Sequence, residues 1–142
     1  MALNEILGEL ETIFEAVAGV TRVDQFLPNS VNSTDVPYVV LMPSFGELLS
    51  PLNNVVKIDH TIIVRVYISA PGLDVDAGAR IEDITPFLRL FQTAMAASIR
   101  LDSLAGVNNS WLERYEFPPN GSYDYVDFFL RVQERYQVTF DE

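Results

Sequence analysis

The stretch that decides the fold is residues 55–69, which read VVKIDHTIIVRVYIS. Alternate positions are apolar except for one histidine: Val56, Ile58, His60, Ile62, Val64, Val66 and Ile68. The positions between them are mixed: Val55, Lys57, Asp59, Thr61, Ile63, Arg65 and Tyr67. Alternation with a period of two is typical of a strand that buries one face. Pro71 and Gly72 follow, so we expect a long strand that ends before them.

Residues 111–117 and 126–140 alternate in the same way and predict a closing hairpin. The second of these carries apolar side chains on one face, interrupted by Glu134: Phe128, Leu130, Val132, Tyr136, Val138 and Phe140. Residues 38–42 predict a further, short strand. Pro37 and Pro43 bracket it, which favours a position near a sheet edge.

Two helices are predicted. Residues 2–17 carry apolar side chains at helical spacing: Leu3, Ile6, Leu7, Leu10, Ile13, Phe14 and Val17. Residues 74–99 do the same with Ile81, Ile84, Leu88, Phe91, Met95 and Ile99. Pro86 lies inside the second pattern, and we expect one kinked helix rather than a fresh start at Thr85. Residues 20–37 are rich in loop formers and predict irregular structure.

These elements predict one α+β domain over residues 1–142, with the order α-β-β-α-β-β. The simplest arrangement packs both helices on one face of a mainly antiparallel four-stranded sheet. The other sheet face would then carry a mostly polar set: Lys57, Asp59, Thr61, Arg65, Arg131, Gln133, Arg135 and Gln137. The arginines and the lysine of this set are candidates for a contact face.

Residues 43–54 are apolar but punctuated by helix and strand breakers. Two interpretations are open: a loop folded back on its own core, or a projecting arm that buries its apolar side chains against a neighbouring subunit. The arm would use Phe45, Leu48, Leu49 and Leu52.

Composition excludes several kinds of chemistry. The chain has no cysteine, a single histidine and a formal net charge of −11, which removes thiolate sites, leaves little for zinc and disfavours phosphate binding. There is neither a nucleophile elbow nor a glycine-rich phosphate loop. We expect His60 to be a hydrogen-bonded, partly buried residue rather than a catalytic base. We therefore assign no catalytic, cofactor-binding or metal residues, and no cofactor; a hydrolase using two carboxylates is the remaining enzymatic alternative.

The whole-chain order of parts resembles the tail terminator, or tail completion, proteins of long-tailed bacteriophages. The parts are an acidic amphipathic helix, a strand, the punctuated apolar segment, a long strand, a second helix and a closing hairpin. The resemblance implies a non-enzymatic homohexameric ring at the head-proximal end of the tail tube, which ends tube polymerisation and docks the head. It implies three partners: further copies of the chain, the tail tube protein and the head–tail connector.

The resemblance also implies that DNA passes through the ring without specific binding. The protein would lie in the virion, in the head-proximal part of the tail, after assembly in the host cytoplasm. No run of about 18 apolar residues is present, so we expect no membrane partner. Two alternatives stay open: a small soluble α+β binding module without catalysis, and another phage neck or tail protein such as a head–tail connector.

Overall fold

The structure, a computed structural model, describes residues 3–26, 31, 34–52, 55–68, 77–97, 107–119 and 123–137. Within these residues, two helices and five strands follow one another. Their bounds are α1 (Leu3–Glu15), β1 (Arg22–Gln25), β2 (Tyr38–Leu52), β3 (Val55–Tyr67), α2 (Ala77–Ala97), β4 (Val107–Glu116) and β5 (Tyr125–Gln137).

The predicted α+β class is confirmed, but the sheet has five strands rather than four, in the order β1-β2-β3-β5-β4. β1 pairs with β2 in parallel, and the three remaining pairs are antiparallel. Both helices pack on the same face, where their apolar sides share one core with the sheet. β3 lies at the centre of the sheet because it pairs with β2 on one side and β5 on the other.

β1 is the element that sequence reasoning missed, since residues 20–37 were expected to be irregular. Only four residues form it, and only Val23 is buried. A single buried side chain gives no period to detect. The parallel register Arg22↔Tyr38 to Gln25↔Leu41 and a bond from the Phe26 amide to the Leu41 carbonyl (2.9 Å) hold it on β2.

β2 continues well past the predicted end at residue 42. It passes through Pro43 and Pro51 and pairs with β3 as far as Leu52↔Val55. Proline is tolerated in a strand whose outer side needs no amide donor. Within the described residues β1 covers only residues 38–41, so the rest of β2 has no strand neighbour on that side.

A bulge between Pro43 and Phe45 changes which β2 side chains face the helices. Before it, Val39 and Leu41 pair with Val66 and Val64 and are fully buried in the core. After it, Gly46 pairs with His60 and Leu48 with Ile58. The helix-facing side of β2 is therefore odd-numbered before the bulge and even-numbered after it.

α2 is one helix that contains Pro86, as expected. Ile84, Phe91 and Met95 are buried in the core, whereas Ile81 is 39% exposed. Phe87 is also buried, which the predicted apolar stripe did not include. Ile99 and residues 74–76 of the predicted helix lie outside the described residues.

The closing hairpin is confirmed with shifted bounds. β4 begins at Val107, earlier than the predicted residue 111, and pairs with β5 from Val107↔Glu134 to Glu116↔Asp127. Its early residues read VNNS, which carries too little apolar alternation to predict a strand. Residues 138–140 of the predicted final strand lie outside the described residues.

Candidate functional site

The sheet face away from the helices carries the predicted polar set. Arg65 lies across from Asp127 on β5 and donates to both of its carboxylate oxygens, from Nε at 2.8 Å and from Nη2 at 3.0 Å. Its guanidinium also lies 4.0 Å from the centre of the Tyr125 ring. Burial lowers the pKa of Arg65, whereas hydrogen bonds to Asp127 and Tyr67 and the charge of Asp127 raise it, and together they shift the pKa upward. Arg65 is thus a fixed positive charge held within the protein's own sheet.

Arg131 is committed in the same way. Its Nη2 donates to Asp59 on β3 at 3.1 Å, and its Nη1 lies 3.7 Å from Glu113 on β4. Its side chain is 20% exposed. Arg65 and Arg131 were predicted to belong to a contact face, and the structure shows that both bind carboxylates within the sheet.

Lys57 and Arg135 differ from them. They lie directly opposite each other on β3 and β5, and both are exposed. Within the described part of the chain neither makes an ion pair. Their two positive charges therefore face each other without a carboxylate between them. Of the four predicted contact-face residues, these two retain charge that a partner can bind.

A tyrosine cluster covers the other end of this face. Tyr38, Val40 and Tyr67 are buried there against Val31 and Val36. The Tyr38 hydroxyl donates to Asp24 at 2.7 Å. Burial raises the pKa of Tyr38, and the bond to Asp24 raises it further. This end of the sheet is closed by the protein's own residues.

His60 and Glu134 form a pair on the helix-facing side. His60 Nε2 lies 2.7 Å from Glu134 Oε2, and their side chains are 14% and 4% exposed. The expectation of a hydrogen-bonded, partly buried histidine is confirmed. Its partner was missed, although a signal existed: each residue is the polar interruption of an otherwise apolar strand face.

A second buried ion pair was also missed. Arg80 in the first turns of α2 binds Asp124, just before β5, with Nη1 and Oδ1 2.7 Å apart. The Asp124 carbonyl accepts from the Ile68 amide at 2.9 Å. This cluster ties the start of α2 to the ends of β3 and β5, and sequence alone gave no signal for a contact across so many residues.

Residues 44–52 and 55–60, which we call the outer hairpin, carry exposed apolar side chains at an edge of the sheet. Phe45 is 57% exposed and Leu48 is 80% exposed, among exposed Ser44, Gly46 and Glu47. Leu49 and Leu52, the other predicted arm residues, belong to β2, and their side chains lie outside the described set. Exposed apolar side chains on an unpaired strand edge are a template for another chain.

Two cavities adjoin each other along the opposite edge of the sheet, between α2 and β4. One of about 370 Å³ is lined by Met95, Ser110 and Trp111, among others. The other, also about 370 Å³, is lined by Leu88, Tyr115 and Phe128 among others. Gln92 and Leu112 border both. They form one groove beside an edge strand.

Metal chemistry finds no support in the described residues, which contain no group of three or more histidine, cysteine or acidic side chains arranged to hold an ion. Comparison of the chain with protein-family models and with curated proteins finds no match to either. Among the described residues, no helix is long and apolar enough to cross a membrane.

Proposed function

We propose that the chain is a structural virion protein that forms a ring at the head-proximal end of a phage tail tube, where it ends tube polymerisation and docks the head. The observation that carries the proposal is the outer hairpin. Phe45 and Leu48 are largely exposed there on a strand whose outer edge has no neighbour within the described residues. Such an edge is stabilised by pairing with another chain.

The partners we propose are further copies of the chain, as a homohexamer, together with the tail tube protein and the head–tail connector. No catalytic step is part of this function. A net charge of −11 on each copy favours a lumen that repels DNA phosphates, so DNA would pass without specific binding. The protein would assemble in the host cytoplasm and remain in the virion.

The arm interpretation of residues 43–54 takes a more definite form in this proposal. The segment that contacts the neighbour is a strand paired with β3, not a free loop. Removing residues 45–52 would therefore unpair β3 as well as delete the surface. Single substitutions of exposed side chains separate assembly from folding more cleanly.

The first experiment measures the mass of the purified chain by light scattering after size exclusion, with electron microscopy of any large species. Wild type is expected to form rings, and Leu48→Ser is expected to lose them while keeping its circular dichroism spectrum. Ile81→Ser is the matched control, since Ile81 is a 39% exposed apolar residue on α2. Rings that survive Leu48→Ser would refute the role of the outer hairpin.

A second experiment tests the function itself. Tail tube protein is polymerised with and without the chain, and tube lengths are measured by electron microscopy. Capping predicts that added chain stops growth and lies at one end of each tube. Tubes that grow to the same length with the chain present would refute the proposal.

The alternative of a small binding module has one observation in its favour. An open, mainly apolar groove of about 410 Å³ lies between α1 and α2, lined by residues that include Ile13, Val17 and Leu90. Native mass spectrometry of the purified chain checks for a bound apolar ligand. A stoichiometric ligand on a monomeric chain that does not cap tubes would favour this alternative.

A further inference from the structure

We infer that the groove between α2 and β4 receives the outer hairpin of a second copy of this chain, whose β2 then pairs with β4 as an added antiparallel strand. The inference rests on the proposed ring and names the two surfaces that successive copies bring together.

The strand edges are suited to this pairing. Within the described residues, β2 beyond Leu41 and β4 along its whole length lack a neighbour on their outer sides. They lie at opposite edges of the sheet. Three successive antiparallel pairs separate them, so β4 runs opposite to β2. A second copy in the same orientation therefore places its β2 antiparallel to β4, and the sheet continues from one copy to the next.

The side chains fit the same arrangement. Leu48 pairs with Ile58, which puts it on the helix-facing side of the sheet, and it is 80% exposed. In a continued sheet the helix-facing side of the incoming strand faces α2 of the receiving copy. The groove that it meets there consists of the two cavities bordered by Gln92 and Leu112. Leu48 thereby gains the apolar cover that its own chain does not give it.

The charges on the other side of the sheet are complementary. Lys57 lies one strand in from the β2 edge and makes no ion pair within the described part of the chain. β4 presents Glu113 and Glu116, whose side chains are 39% and 56% exposed, on either side of Arg114, which lies 3.8 Å from Glu113 and 3.2 Å from Glu116. Two carboxylates and one guanidinium leave this stretch with a net negative charge. Strands lie about 4.8 Å apart, so a lysine and a glutamate separated by one strand are within joint reach. This local match opposes the repulsion between two acidic chains.

The contact is head-to-tail, because each copy inserts its outer hairpin at one neighbour and accepts the hairpin of the other neighbour in its groove. Contacts of this kind close into rings when the rotation between copies allows it. A head-to-tail contact also makes a prediction for mixtures. A copy with a defective hairpin can still accept a hairpin in its groove, and a copy with a defective groove can still insert its hairpin into another copy.

The experiment uses Leu48→Arg, which removes the apolar side chain that enters the groove, and Gln92→Arg, which fills the groove. Both residues are exposed, so neither change disturbs the core. Each variant alone is expected to run as a monomer of the 16.0 kDa chain in light scattering, under conditions where wild type is larger. An equimolar mixture is expected to give a one-to-one dimer and nothing larger, because only one intact interface remains.

Three results would overturn the inference: a variant that keeps the wild-type mass, a mixture that stays monomeric, or a wild-type chain that is monomeric at every concentration. Rings that persist in both variants would refute this interface but would not contradict the proposal that the chain forms a ring. Failure of the wild-type chain to cap tubes would count against the proposed function and not against this contact.

Cross-linking gives an independent measurement, since the chain has no cysteine of its own. Leu48→Cys mixed with Gln92→Cys is expected to give a disulfide-linked dimer in high yield under mild oxidation. Leu48→Cys mixed with Glu82→Cys, on an exposed position of the same helix, is the matched control. Equal yields in the two mixtures would contradict the contact.

Discussion

His60 and Glu134 each replace an apolar side chain on the helix-facing side of the sheet, and each is tolerated there because of the other. In the strand register His60 lies opposite Val132 and Glu134 lies opposite Ile58, and both of these partners are apolar. A carboxylate that is 4% exposed would be costly alone, whereas a 2.7 Å bond to an imidazole offsets its loss of water.

Removal of one partner should therefore destabilise the protein more than removal of both. We expect His60→Leu or Glu134→Leu to lower the free energy of unfolding by about 1–3 kcal/mol, the cost of a buried polar group without its partner. The double variant should lose less than either single variant, because it leaves no buried polar group without its partner. Urea denaturation measures all three. Lys57→Ala, an exposed change on the same strand, is the control and should stay within about 0.5 kcal/mol of wild type.

Tyr38 gives the stability a dependence on alkaline pH. Burial and the bond to Asp24 raise its pKa in the folded protein, whereas tyrosines of the unfolded chain ionise near pH 10. The folded state therefore binds the proton more tightly. Its contribution is complete below about pH 10 and is lost as the pH rises towards the folded value.

We expect the free energy of unfolding to fall above about pH 10, and to fall less steeply in Tyr38→Phe, by up to about 1.4 kcal/mol per pH unit. Denaturation at a series of pH values measures the slope. Tyr115→Phe, at a 48% exposed ring, is the control. An unchanged slope in Tyr38→Phe would show that the buried hydroxyl is not responsible.

Residue contacts were the part that sequence could predict least. Alternation in residues 55–69 correctly placed Arg65 and Lys57 on the face away from the helices. It could not show that Arg65 would be held by Asp127, because that pairing depends on the register between two strands that are 62 residues apart at this point. Pattern predicts the face, whereas register determines the partner.

At the scale of elements, α2 shows how a helix accommodates a proline. Pro86 has no amide hydrogen to donate to the carbonyl four residues earlier. The hydroxyl of the preceding residue, Thr85, donates to the Ile81 carbonyl one turn earlier at 2.7 Å, a local bond of the kind that bends helices. Pro86 is exposed, so the helix keeps its apolar face on the core despite the missing bond.

Pro86→Ala should restore the helical hydrogen bond and stabilise the protein. We expect the free energy of unfolding to rise by about 1–3 kcal/mol, since proline in a helix interior costs about 3 kcal/mol relative to alanine. Thermal denaturation followed by circular dichroism measures the change. Arg89→Ala, also exposed on α2, should leave the midpoint near that of wild type; a lower midpoint for Pro86→Ala would contradict the argument.

Elements whose apolar pattern repeats many times were predicted well, and short or interrupted elements were not. Both helices and the long strand carry repeated apolar positions and were found. β1 buries only Val23, and the outer part of β2 contains two prolines, so neither had a pattern strong enough to identify it. β1 is held by its pairing with β2, and the outer part of β2 by its pairing with β3, so both depend on a neighbouring strand rather than on a pattern of their own.

At the scale of the whole molecule, the proposed contact between copies depends on charge as well as shape. Lys57→Glu should weaken assembly, because it turns an attraction towards Glu113 and Glu116 into a repulsion. Glu116→Lys should weaken it as well. The double variant Lys57→Glu with Glu116→Lys should recover most of the loss, since the two charges are exchanged across the same contact.

Light scattering at one protein concentration and several salt concentrations measures this series. The matched control pairs Lys57→Glu with Glu82→Lys, which restores the net charge of the chain at an exposed site on α2. If the control recovers assembly as fully as the exchange does, total charge rather than the contact would be responsible.

The bulge at Ser44 separates position along the sequence from position in the sheet. Side chains that face the helices are odd-numbered before it and even-numbered after it as far as Leu48, because Ser44 is an extra residue without a partner on β3. Deletion of Ser44 would remove the bulge and leave Gly46 opposite His60 and Leu48 opposite Ile58, so each side chain would keep its surface. A change of chain length at this point would therefore be absorbed without exchanging the surface offered to a partner, whereas a single deletion within the regular pairing of residues 45–49 would exchange it.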